Sequence, residues 1–284
     1  MTSRELRQED RVAVLFNNRN RIIVMGVVNT TPDSFSDSGQ FLDANHAVDH
    51  ALQLATDGAD IIDVGGESTR PGADSVGSEE EMRRVIPVIE RLAAQTNAPI
   101  SIDTYKESVA RAALTAGATI VNDISGLTAD PRLAQTAAEF GAGLILMHKR
   151  GDPTTMQSDT HYEDLIAEIS LFLREAISKA EAAGVDPAKI MIDPGIGFGK
   201  DLAGNVQIIN SVGSLTELGK PVLIGASRKA FIGRITGADP AHRLHGSLAA
   251  TVAAVIYGAA AVRVHDVKET REAVDVAIQL RRVK

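Results

Sequence analysis

The chain contains no cysteine, which excludes a disulfide framework, a thiolate metal site and a cysteine nucleophile, and suits a reducing cytoplasm. It has no long apolar run. Its first twenty residues are charged and lack both a signal-peptide core and a membrane span. It also lacks an excess of positive charge: 29 Lys and Arg stand against 37 Asp and Glu, a formal net charge of −8, so no general nucleic-acid or anionic-membrane binder is expected. Any anion must be held locally. There is no low-complexity linker, charge block or short repeat to mark a domain boundary.

What is present is an ordinary globular composition, 44% hydrophobic and 23% charged over 284 residues, enough for a sizeable core. Short Val- and Ile-rich runs near 21–28, 60–64, 99–103, 118–122, 143–148, 189–193, 221–226 and 260–264 read as eight strands. Between them lie helical patterns, such as the stretch in which Leu165, Ile169, Phe172, Leu173, Ala176 and Ile177 share a face. Gly58, Gly117 and Gly184 sit where such helices would close. Alternating strands and helices imply parallel pairing through right-handed crossovers, and about 35 residues per unit suits an α/β fold of the (β/α)8 TIM-barrel type over 21–284. A doubly wound open sheet is the alternative. However, the first strand leads into Asn-Thr-Thr-Pro instead of a glycine-rich dinucleotide turn. Residues 1–20 read as a loosely attached, poorly ordered N-terminal arm.

In a barrel of this kind the site lies where the strands end. Those ends deliver Asn29, Asp63, Asp103, Asn122, Asp123, His148, Asp193, Ser227, Lys229, Arg263 and His265. Asp63 and Asp123 are read as hydrogen-bond anchors for neighbouring loops. A convergence of Asp103, Asn122, Asp193 and Lys229 on one mouth, by contrast, suits a flat ligand edge presenting several N–H donors and a carbonyl. Arg263 and His265 flank Val264, so both point to one side of a strand. With Asn29 they would form a small cationic pocket for phosphate or pyrophosphate, the other reading being an arginine paired with a nearby aspartate. The loops 29–39 and 65–77 are rich in Gly, Ser, Asp and Pro and read as lids, with Phe35 an apolar ring in a polar loop.

His46 with His50, and His242 with His245, have helical spacing but no third metal ligand, and are read as solvated faces. The Arg150-Gly151-Asp152 tripeptide is read as chance. Gly195 to Gly199 is read as a tight turn bringing backbone close to a ligand.

The ordered segments MGVVNTTPDSFSDSG, DVGGESTRPGA, SIDT, VNDISG, MIDPGIGFGK, GASRKAF and RVHD resemble the motifs of the dihydropteroate synthase family, across about residues 21 to 284. The resemblance implies a transferase of folate biosynthesis that condenses 6-hydroxymethyl-7,8-dihydropterin pyrophosphate with 4-aminobenzoate, and a sulfonamide target. It assigns Asp103, Asn122, Asp193 and Lys229 to the pterin ring, with Met147 and Phe198 flanking it. Asn29, Arg70, Arg263 and His265 would hold pyrophosphate, Asn29 also serving as a ligand of Mg2+. Phe35, Thr69, Pro71 and Ser227 would form the aminobenzoate pocket, with Lys229, Arg263, His265 and Asp103 carrying the catalysis. It also implies a homodimer, for which the apolar helix at 246–257 is a candidate surface.

The chain departs from the family pattern in three places: the N-terminal arm, the charged Lys149-Arg150 after strand five, and Ala230 where many relatives carry a hydroxyl. Two other readings compete, a pterin-binding methyltransferase domain of the corrinoid-dependent kind and a catalytically silent pterin-binding paralogue. The lid motifs argue against the first. Pterin binding without pyrophosphate release would mark the second.

Overall fold

A computed structural model describes residues 8–30, 40–68, 73, 75–151, 155–156 and 158–282. Eight parallel strands run in the order β6-β5-β4-β3-β2-β1-β8-β7: β1 Ile23–Asn29, β2 Ile61–Gly65, β3 Ile100–Asp103, β4 Ile120–Asp123, β5 Gly143–Met147, β6 Ile190–Asp193, β7 Leu223–Ile224 and β8 Ala261–Val264. A single parallel bridge between Ile192 and Val222 brings β6 to β7 and closes the cylinder. The expected (β/α)8 barrel is therefore the fold, and the open doubly wound sheet is not.

Eleven α-helices lie among the described residues: α1 Gln8–Phe16, α2 Gln40–Thr56, α3 Ser78–Gln95, α4 Glu107–Thr115, α5 Arg132–Glu139, α6 Leu165–Ala182, α7 Leu202–Asn210, α8 Val212–Thr216, α9 Ala230–Thr236, α10 Leu244–Ile256 and α11 Val267–Arg282. Of the expected α6 face, Leu165, Ile169, Leu173, Ala176 and Ile177 are buried and Phe172 is half-buried against the same core, and Asp164 caps the helix by accepting from the Ala167 N–H at 3.1 Å. The three closing glycines sit at φ +104°, +114° and +96°, a region that a Cβ disfavours. None of these helices is long and apolar enough to cross a membrane.

Because side chains alternate along a strand, each strand feeds two cores. Val24, Ile62, Ile102, Val121, Leu144, Ile192 and Val262 face the helices. Ile23, Met25, Ile61, Ile120, Ile145, Met191, Leu223 and Ala261 fill the lower barrel. The inward positions one step further along these strands are Asp63, Asp103, Asn122, Met147, Asp193 and Arg263. Register sets their level: Asp103 pairs with Asn122, and Met147 with Asp193. The lower barrel is oily and rigid, and the chemistry stands on top of it.

The N-terminal reading needs correction for residues 8–16, which form a helix. Val12 and Phe16 are buried among the inward residues of the lower barrel. A Cβ on Gly143, at the start of β5, would lie 2.7 Å from Val12, so α1 closes the bottom of the barrel and fits where β5 offers no side chain. Asn17 continues the attachment by donating to the Ala188 carbonyl at 2.9 Å. Removing two buried methyl groups by Val12→Ala should cost roughly 2 kcal/mol, measured by urea unfolding. A change below about 0.5 kcal/mol would mean that α1 is dispensable to the barrel.

Candidate active site

Four polar groups converge at the mouth as the sequence led us to expect. Asp103 ends β3, and its Oδ2 accepts from an Arg263 terminal nitrogen at 2.6 Å. Burial pushes this carboxyl up to about 7, with Asp63 and Glu81 adding to the shift and Arg263 and Lys229 opposing it. Asp193 ends β6 and accepts from the Gly195 N–H at 2.7 Å; burial also raises its carboxyl above the usual range. Lys229 leads into α9, its Nζ 4.2 Å from the centroid of the Phe198 ring. Burial and the nearby Arg263 bring its ammonium down to about 8, against the pull of Asp193 and Asp103. The Asn122 side-chain amide donates to Asp63 Oδ2 at 3.3 Å.

Facing these groups is a small apolar cluster of Ile124, Met147, Met156 and Phe198, with Tyr105 against it. The mouth thus has a polar wall of two carboxylates, an amide and an ammonium, and an apolar wall beside it. That combination fits a flat heteroaromatic ligand whose edge carries donors and an acceptor and whose faces are apolar. Met147 and Phe198 both belong to this apolar cluster.

The anion pocket differs from expectation. Arg263 does point inward with His265, but it is not a free cation: its Nε donates to Asp63 Oδ2 at 2.7 Å, and a terminal nitrogen lies 2.6 Å from both Asp63 and Asp103. The aspartate-paired reading of Arg263 holds. Asp63 and Asp103 hold this guanidinium firmly protonated. His265, lowered to about 4 by burial, Arg263 and Arg228, is neutral near pH 7, so it serves as a hydrogen-bonding ring and not as a second charge. Its Nδ1 lies 3.1 Å from Ser227 Oγ, a hydroxyl that also accepts from the His265 N–H at 3.3 Å. Asn29 ends the neighbouring β1 and is half-buried. Phe35, Thr69, Arg70 and Pro71 fall outside the described residues.

Sequence reading undervalued Asp63. It is wholly buried and anchors not a loop but the side chains of Arg263 and Asn122, while its Oδ1 finds no donor among the described residues. Its inward parity with Asp103 and Asn122 was the available signal. A second network also escaped notice. Lys106 is paired with both Glu67 and the buried Glu81, and the Tyr105 hydroxyl donates to Glu67 at 2.9 Å, bracing the base of the second loop. Asp123, by contrast, is the local anchor it was read to be, accepting from the Ser125 N–H at 2.8 Å and the Leu127 N–H at 2.6 Å.

Other expectations resolve simply. His46, His50, His242 and His245 are exposed, and no three His, Cys, Asp or Glu among the described residues are grouped to hold a metal. Arg150 is a loop clamp, lying 3.7 Å over the Tyr162 ring and 2.6 Å from Glu168. In the Gly195 turn the backbone approaches the loop after β5: a Cβ on Gly195 would lie 2.0 Å from the His148 carbonyl oxygen.

Residues 25–265 match the model of the pterin binding enzymes, so the barrel and its mouth define a pterin-binding enzyme. The chain is 47% identical to the dihydropteroate synthase of Synechocystis over 93% of its own length and 91% of that protein's, and 47% identical to that of Escherichia coli over 89% of each. It superposes with a TM-score of 0.88 on the Clostridium difficile dihydropteroate synthase solved in the presence of pteroic acid, at 43% identity, covering 93% of this chain and 98% of that one. The chain belongs to the dihydropteroate synthase family, and is accordingly a transferase that forms dihydropteroate.

Proposed function

We propose that the mouth of this barrel condenses 6-hydroxymethyl-7,8-dihydropterin pyrophosphate with 4-aminobenzoate, with the work divided as follows. Asp103 and Asp193 accept from the N–H groups of the pterin edge, Asn122 donates and accepts, and the Lys229 ammonium donates to the ring carbonyl. Met147 and Phe198 take the two faces. The observation that carries this reading is the convergence of Asp103, Asn122, Asp193 and Lys229 beside the Met147 and Phe198 cluster.

The bond between the methylene carbon and the pyrophosphate oxygen breaks, its electron pair leaving with pyrophosphate. The aniline nitrogen lone pair forms the new C–N bond and the nitrogen then loses a proton. Arg263 and the His265 ring stabilise the charge gathering on the leaving group. Arg263 does so by trading Asp103 for phosphate while Asp63 keeps its Nε in place. Holding both reactants in register supplies the remainder. On the family's pattern Phe35, Thr69, Pro71 and Ser227 contact the aminobenzoate, and Arg70 joins the contacts to pyrophosphate.

The donor set suits Mg2+ that arrives with pyrophosphate. Asn29 would hold the ion through its side-chain oxygen, a hard donor of the kind Mg2+ takes. When bound it would neutralise leaving-group charge. We place the protein in the cytoplasm as a homodimer, with α10 as the contact; Tyr257, at its C-terminal end, is 45% exposed.

The test mixes the purified protein with the dihydropterin pyrophosphate, Mg2+ and 4-aminobenzoate. Pyrophosphate and dihydropteroate should appear in equal amounts, and only when aminobenzoate is present. Chelation with EDTA should slow the reaction by roughly tenfold or more, with recovery on adding Mg2+. Pterin binding with neither product would favour the silent paralogue instead.

A further inference from the structure

We propose that Lys200 is a positioning residue for the pterin end of the site, its buried ammonium tying the loop after β5 to the loop after β6 and so fixing Asp193 and Phe198 at the mouth. The proposal rests on the functional reading above for the identity of the ligand, and on geometry for the rest.

Lys200 closes the turn that begins at Pro194 and is only 2% exposed. Its Nζ lies 2.8 Å from His148 Nδ1, 2.8 Å from the Pro194 carbonyl oxygen, 2.9 Å from that of Gly195 and 3.2 Å from that of His148. These acceptors come from both loops, and none is a carboxylate. An ammonium with three protons among four fixed acceptors works as a cross-link whose geometry is set by backbone dipoles. His148 must present a bare Nδ1 to take part, and burial together with Lys200 and Arg150 lowers its ring to about 3. It therefore accepts throughout the neutral range. The ring is seated edge-on against Phe172, with centroids 4.9 Å apart.

The cross-link is connected to the mouth. Gly195, whose carbonyl it holds, donates its N–H to Asp193 Oδ1 at 2.7 Å. Further along the turn, Asn205 accepts from the Gly197 N–H at 2.6 Å and the Tyr162 hydroxyl donates to the Gly199 carbonyl at 2.9 Å. Phe198 lies between these two fastenings, under the Lys229 ammonium. Among these fastenings Lys200 is the basic side chain: burial pushes its ammonium well below the ordinary lysine range, Asp193 draws it back up, and Lys200 and Lys229 both favour the ionised form of Asp193. Burying an ammonium is costly. A loop needing only stability could have been closed with neutral groups, as Asn205 and Tyr162 close the rest of it.

The experiment compares the parent with Lys200→Met, which fills a similar volume without the cross-link, and with His148→Phe, which keeps a ring against Phe172 but removes one acceptor. Steady-state rates are taken with each substrate varied in turn, alongside thermal unfolding. Lys200→Met should raise KM for the dihydropterin pyrophosphate by roughly tenfold or more while KM for 4-aminobenzoate and the saturated kcat stay within about threefold, the pattern of lost binding and not of lost chemistry. His148→Phe should move the same constant in the same direction by about threefold. A folded Lys200→Met protein with unchanged KM for the pterin substrate overturns the proposal, as does a uniform loss in both KM values and kcat that follows the fall in Tm. If Lys200→Met does not fold, an unchanged pterin KM in His148→Phe overturns it. Calorimetric titration with 6-hydroxymethylpterin gives the same contrast without turnover. A parent that binds this pterin but makes no dihydropteroate overturns the functional reading, and Lys200 is then judged on the binding ratio alone.

Discussion

Arg263→Ala should lower kcat/KM by roughly 2–4 kcal/mol in transition-state terms, about 30- to 1000-fold, the size expected for losing one preorganised donor to the leaving group. The structure adds a second consequence. Arg263 bridges Asp63 and Asp103, both largely buried, so alanine leaves two carboxylates facing each other without their cation. Breaking a buried pair in this way costs roughly 3–5 kcal/mol of stability. The two effects separate by measurement: urea unfolding reports the second, and kcat/KM at a temperature where the variant is fully folded reports the first. Arg263→Lys should recover much of the stability but little of the rate, because an ammonium replaces the charge and not the planar fork that reaches Asp63 and phosphate together. Activity within threefold of the parent in a folded alanine variant would remove Arg263 from the leaving-group role.

Most of the barrel could be read from the sequence because its signals are local. Each strand is a short Val- and Ile-rich run, and each lies within a few residues of its expected place. The strand β7 is the shortest, two residues where 221–226 was expected, because its contact with β6 is reduced to the Ile192 and Val222 bridge. The mouth could be read for the same reason, since a polar residue ending an apolar strand stands out.

What escaped was everything fixed by a distant partner. Asp63 looks like any buried anchor until Arg263, 200 positions away, is placed beside it. Lys200 looks like the end of a glycine turn until His148, 52 positions earlier, is found under it. The α1 helix was legible in part. Val12, Leu15 and Phe16 carry helical spacing, but nothing local says that the open bottom of a barrel is there to receive them.

Asp63→Asn should shift the pH dependence in the direction opposite to Arg263→Ala. The groups facing Asp103 are Arg263 and Lys229, which lower its carboxyl, and Asp63 and Glu81, which raise it; with burial the balance stands at about 7. If Asp103 accepts from the pterin edge it must be ionised. In the parent, kcat/KM for the dihydropterin pyrophosphate should therefore rise with pH through about 7, and fall again as Lys229 loses its proton near 8. Asp63→Asn removes an anion, leaves the charge of Arg263 to Asp103, and moves the acid limb to lower pH. Arg263→Ala removes the cation and moves it higher. Stability follows the same sign: a carboxyl raised on folding favours the folded state below its ordinary pKa, and that contribution is lost as pH rises through about 7, a trend that Asp103→Asn should flatten. Asp63→Asn should itself cost roughly 3 kcal/mol, since it weakens the charged hydrogen bonds that Asp63 makes to Arg263. Acid limbs that coincide in the parent and both variants would show that the titrating group is not Asp103, and that the Asp63, Arg263 and Asp103 triad orders the barrel without tuning its chemistry.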